Sequence, residues 1–173
     1  KIGLEQASIS NGFLLVVVYA IFNFIGRVTW GTISDYIGRT ATLFTMFSIQ
    51  ALIYFLFSSF TNPVALLIGK SVVGFTFGGM LAIFPVVTAD FYGVKNLGLN
   101  YGVMITAWGV GGVIGPLLGG IARDLTGGYG ISYLVSAVLS VLGAVLSLII
   151  RHPEAEDRKG RLGEPDGKTG GST

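Results

Sequence analysis

Tyr19, Asn23 and Arg27 recur at intervals of four in an otherwise apolar run, "YAIFNFIGR". Residues four apart are stacked neighbours on a helix, so the three side chains share one face. A charge at the centre of a membrane helix costs about 2.5 to 3.5 kcal/mol on insertion scales, and such a residue is kept for a reason. A planar guanidinium with five donors can grip a carboxylate through two parallel hydrogen bonds. The pattern therefore points to an anion site in a central cavity, with Arg27 as the carboxylate ligand and Asn23 and Tyr19 as further hydrogen-bonding groups. Two structural readings compete with it. Arg27 lies about two turns, roughly 10 Å, from the end of its helix and could snorkel to headgroups, or it could pair with Asp35. Lys70, seven residues past Pro63, reads in the first instance as a snorkelling side chain.

The elements that must position this stripe follow from composition. The chain has 173 residues, of which 12% are charged, and its mean hydropathy is +0.73; soluble domains carry about 25% charge. Of the 20 charged residues, ten lie from Arg151 onward. The uncharged runs between the others approach or exceed the roughly 20 residues that a bilayer-spanning helix needs. Turn-forming stretches at "SSFTNP" and "DLTGGYG" refine the division. The expectation is an all-α integral membrane protein with five transmembrane helices near 10–34, 41–59, 63–88, 98–122 and 130–150, followed by a disordered, charged and glycine-rich tail at 151–173. With the amino terminus outside, the inner segments hold seven Lys and Arg (Arg39, Lys95, Arg151, Arg158, Lys159, Arg161, Lys168) and the outer ones two, Lys1 and Arg123. That bias predicts a multi-pass protein of the plasma (inner) membrane with a cytoplasmic carboxyl terminus.

Glycine predicts how the helices meet. In "GVGGVIGPLLGG", Gly111, Gly115 and Gly119 recur every fourth residue, with Gly112, Pro116 and Gly120 one position on. Small residues on one face let backbones approach closely in lipid. Gly74 and Gly78 give the third span the same property, and Pro116 is expected to bend its own helix. Other classes of function fit less well. There is no nucleophile elbow and no metal-ligand spacing, and the sole histidine, His152, begins the tail, so an enzyme is not expected and neither a metal nor a cofactor is implied. A net charge of +2 without a basic run gives no reason to expect a nucleic-acid partner.

Between the first two spans, "WGTISDYIGRT" places Gly31, Ser34, Asp35, Gly38 and Arg39 in an arrangement that resembles the G-x-x-x-D-x-x-G-R loop signature of the major facilitator superfamily. Tyr36 departs from it, standing where the first copy of the signature has a basic residue. Read from the residues alone, Gly31 and Gly38 permit a tight turn, and Asp35 can face a helix amino terminus or an arginine at the inner gate. "FPVVTADFYGVKNLGLNYG" (84–102) and "TAWGVGGVIGPLLGG" (106–120) are similar to the oxalate/formate antiporter family, which includes monocarboxylate carriers. The resemblance covers residues 1 to about 150. It implies that the five spans correspond to helices eight to twelve of a twelve-helix carrier, the preceding helices being partners in the same protein. It also implies that Arg27, before the loop signature, binds substrate carboxylate. Members that carry oxalate have a second basic residue in helix eleven, where this chain has Trp108; a monocarboxylate such as lactate or formate is then the better-matched cargo. The expected function is alternating-access transport of small organic anions. The alternatives are a carrier of another solute on the same fold, or a non-transporting receptor-like or assembly protein.

Overall fold

A computed structural model describes residues 12–149. Five helices follow one another with short connections: α1 (Gly12–Ile37), α2 (Arg39–Phe57), α3 (Pro63–Tyr92), α4 (Leu97–Thr126) and α5 (Gly130–Ile149). Each is long and apolar enough to cross a membrane. Helices satisfy every backbone donor and acceptor internally, the condition for residing in hydrocarbon. The expected tail at 151–173, and the first and last residues of the outermost expected spans, lie outside the described residues.

Helix ends fall where backbone chemistry places them. Asn62 caps α3, its Oδ1 accepting from the Val64 amide at 2.9 Å with Pro63 at the first helical position, where no amide donor is needed. α1 runs on to Ile37, past the end read from the sequence, because apolar and polar residues alike remain helical until Gly38. There φ is +86°, a conformation that residues with a β-carbon rarely adopt, and the chain turns straight into α2. α3 and α4 likewise run four residues beyond their expected ends, to Gly93 and Gly127.

Packing is unequal. α1 lies chiefly on α3 and α2 chiefly on α5, while α4 has few neighbours. The first seam is made of glycine. A β-carbon on Gly78 would lie 2.0 Å from the Asn23 carbonyl oxygen, one on Gly74 2.7 Å from that of Tyr19, and one on Gly26 2.0 Å from that of Phe75. The two backbones are in contact, which is how close packing replaces the hydrophobic effect in lipid. The pairing of 74 with 19 and 78 with 23 also makes α1 and α3 parallel. The second seam uses Tyr133, Ala137, Ser140, Ala144 and Ser147, buried at alternating spacings of four and three on α5. Gly143 beside them meets the Phe47 ring of α2, 2.8 Å from where its β-carbon would be.

Two apolar clusters mark the ends of the bundle. Leu15, Phe57, Leu66 and Tyr133 meet at one end. Trp30, Leu43, Met46, Met80 and Ile83 meet at the other, next to the α1–α2 turn. Hydroxyls inside the helices are turned back on their own backbone. Thr42, Thr76, Thr88, Ser140 and Ser147 each donate to a carbonyl three or four residues earlier, leaving no dangling polar group at these buried positions.

Candidate functional site

The stripe on α1 is held from behind. Gly74 and Gly78 bring α3 against the backbone of Tyr19 and Asn23, two of the three stripe residues. The Tyr19 ring packs beside Phe77 of α3, with centroids 6.4 Å apart. Asn23 stands at the middle of the stripe: its Oδ1 accepts from Arg27 Nε at 3.3 Å, and its side chain also interacts with that of Tyr19. Arg27 is exposed and has no ion pair among the described residues; in particular Asp35 is not its partner.

The chemistry follows from which donors are engaged. With Nε bound to Asn23, the guanidinium plane is oriented, and its two terminal nitrogens make no hydrogen bond among the described residues. Two parallel donors on an oriented plane match the two oxygens of a carboxylate. Arg27 thus presents the free end of the fork while its neck is tied down.

Trp108 does not join this cluster. It lies on α4, 57% exposed, with no ring contact to the stripe. The glycine run of the same helix is open too: a β-carbon on Gly111, Gly115 or Gly119 would meet nothing within 4 Å, and Ala122 is the one buried residue of α4 among those described. Pro116 is accommodated within a continuous helix, with the Gly112 carbonyl losing its usual partner.

The signature loop forms a clamp. Arg39 Nη1 bonds Asp35 Oδ1 at 2.7 Å and also the Ser34 hydroxyl, while Nε reaches Asp90 Oδ2 at 3.2 Å. One guanidinium therefore ties the end of α1 to the end of α3 from the first turn of α2. Asp35 finds its arginine in its own loop, four residues on, rather than on a helix across a gate. Gly38 supplies the turn that brings Arg39 back over Asp35, and Gly31, in the last turns of α1, has open space beside it. Sequence reading missed Asp90 as the second carboxylate of this clamp. The available signal was a charge closing an apolar run at the depth of the α1–α2 turn. No cluster of three His, Cys, Asp or Glu side chains occurs among the described residues.

Five apolar helices joined by short turns, with an arginine on a polar stripe and a charge clamp at one end, define a multi-pass membrane protein with a polar face on one of its helices. The sequence profile of the Major Facilitator Superfamily matches residues 2–170. The chain belongs to the Major Facilitator Superfamily, a family of transporters rather than enzymes. Among curated proteins it is similar to the oxalate:formate antiporter of Oxalobacter formigenes, 30% identical over 153 residues that cover 87% of this chain and 35% of that protein. The uncharacterized MFS-type transporter YhjX of Escherichia coli is 33% identical over 64% of the chain and 27% of its own length. Human monocarboxylate transporter 14 is 29% identical over 85% of the chain and 30% of its own length. The chain spans about a third of the length of these relatives.

Proposed function

We propose that this chain supplies helices eight to twelve of a secondary transporter that moves small organic anions, monocarboxylates such as lactate or formate foremost, by alternating access. One observation carries the reading: the Arg27 guanidinium is oriented by Asn23 and keeps both terminal nitrogens available on a polar face. Similarity to an oxalate:formate antiporter and a monocarboxylate transporter agrees with that chemistry. Asn23 fixes the arginine and Tyr19 extends the polar face; Trp108 stands apart from them on α4 and, by resemblance, takes the position at which an oxalate carrier has its second basic residue. That substitution favours one carboxylate over two.

Facilitator carriers hold substrate at the midplane between two halves and rock one against the other. The open glycine face of α4 is the surface on which preceding helices of the same protein pack, and the Arg39–Asp35–Asp90 clamp holds α1, α2 and α3 together at the cytoplasmic gate. The protein lies in the plasma (inner) membrane with its carboxyl terminus inside, as the Lys and Arg bias favours.

The test is uptake of labelled lactate, formate and oxalate by the full-length protein in liposomes, with and without counter-substrate. Saturable uptake of one acid, lost in Arg27→Ala, supports the reading. Undiminished uptake in that variant moves the anion site elsewhere, and uptake of none of the acids leaves a carrier of another solute.

A further inference from the structure

Lys70 is the one lysine within a membrane-spanning helix among the described residues. It is partly buried, and its Nζ lies 5.9 Å from the centroid of the Phe57 ring. No carboxylate pairs with it among the described residues. Phe57 is packed in turn against Phe60 and Tyr133, with centroids 5.4 and 5.1 Å away. An aromatic face holds an ammonium in place but does not neutralise it. The charge therefore projects an unanswered positive field at the end of the bundle opposite the Arg39 clamp.

Its place along the glycine seam gives that field a direction. Lys70 stands one turn before Gly74, which touches Tyr19, and Arg27 follows Tyr19 by two turns on a parallel helix. At 1.5 Å per residue, the two cations are about 18 Å apart along the bundle axis. That is too far for one small carboxylate to bridge. The spacing instead suits successive positions on one path.

We propose that Lys70 is an entry station for the carboxylate: it draws the anion into the mouth of the bundle, one stage before Arg27 binds it. This rests on the anion-carrier reading above. Lys70 acts on encounter and not on the bound state, so it governs KM at low salt and leaves kcat alone. Fixed charge at a cleft mouth raises association rates by about tenfold or more, and the effect fades with ionic strength. The Debye length falls from about 30 Å at 0.01 M to about 10 Å at 0.1 M, that is, from beyond the spacing of the two cations to well inside it.

The experiment measures initial rates of labelled lactate and formate uptake by the reconstituted full-length protein at both ionic strengths. Lys70→Gln is expected to raise KM about three- to tenfold at 0.01 M and less than about twofold at 0.1 M, with kcat unchanged. Lys70→Arg, which keeps the charge and the stacking, is expected to restore the wild-type KM. An unchanged KM in Lys70→Gln overturns the proposal, as does a loss that is independent of salt, which is the signature of a purely structural ammonium–ring contact. Wild-type protein that takes up neither acid overturns the anion-carrier reading itself, and this inference with it.

Discussion

Gly78 and Asn23 touch through their backbones: a β-carbon at 78 would fall 2.0 Å from the Asn23 carbonyl oxygen. Asn23 is also the residue that orients Arg27. The glycine that lets two helices meet thus sets the depth and rotation of the proposed anion ligand.

Gly78→Ala is expected to force α1 and α3 apart, because the obstructing atom is backbone and cannot rotate away. Overpacking typically costs about 1–3 kcal/mol, and a backbone clash belongs at the upper end or beyond. Thermal unfolding of the full-length protein in detergent should show a clearly lowered midpoint. A midpoint within error of wild type would mean that the seam is looser than described.

Arg27→Ala should abolish carboxylate uptake, and Arg27→Lys should come close to it, since an ammonium cannot reproduce two parallel donors. Hydrogen bonds to charged groups contribute about 1.5–3 kcal/mol each, so losing both parallel bonds predicts a loss of about 150-fold or more in kcat/KM. Full activity in the lysine variant would show that charge alone suffices at this position.

Asn23→Ala should be milder, because the guanidinium stays but its neck is released. The expected result is a rise in KM of about tenfold or less, equivalent to one hydrogen bond of about 1 kcal/mol. Asn23→Asp is the sharper probe: a carboxylate beside Arg27 would occupy the fork internally and suppress uptake as strongly as Arg27→Ala. Uptake unaffected by either change would remove Asn23 from the site.

The clamp predicts a kinetic effect more than a thermodynamic one. Its carboxylates are exposed to water, with Asp35 at 67% and Asp90 at 31%, so each pair contributes about 0–1 kcal/mol to stability. Arg39→Ala should leave the unfolding midpoint nearly unchanged while altering the turnover rate of transport. A double-mutant cycle with Asp90→Asn should give non-additive rates; additive rates would show that the Arg39–Asp90 contact does not matter to the cycle.

The open face of α4 gives the last prediction. Gly115→Ala is accommodated within the described helices, where nothing lies within 4 Å. In the full-length protein it should nevertheless lower stability or transport if preceding helices pack there. Unchanged behaviour would place that face against lipid.

Much of the fold was legible because hydrocarbon imposes a simple rule. Runs of about 20 apolar residues must be helices, so the sparse charges, refined by Pro63 and the glycine-rich turn at 124–130, divided the chain. Gly74 and Gly78 were readable as a close-contact face from spacing alone. The same spacing at Gly111, Gly115 and Gly119 met no neighbour among the described residues, because periodicity shows that a face is smooth without showing what lies opposite. The α5 seam went unread for a related reason: Ala and Ser serve as small residues there, and they blend into an apolar background.

The sequence by itself determined the number of spans, the stripe of Tyr19, Asn23 and Arg27, and the signature loop, because each depends on local periodicity or on residues a few positions apart. Tertiary structure decided that Arg39 reaches Asp90 on α3 as well as Asp35 in its own loop, and that Lys70 leans on Phe57 of α2. Those are contacts between side chains whose reach and rotamer depend on how far two backbones approach. Between α1 and α3 that approach is set by the absence of a β-carbon at Gly26, Gly74 and Gly78, and it becomes visible only when the helices are laid together.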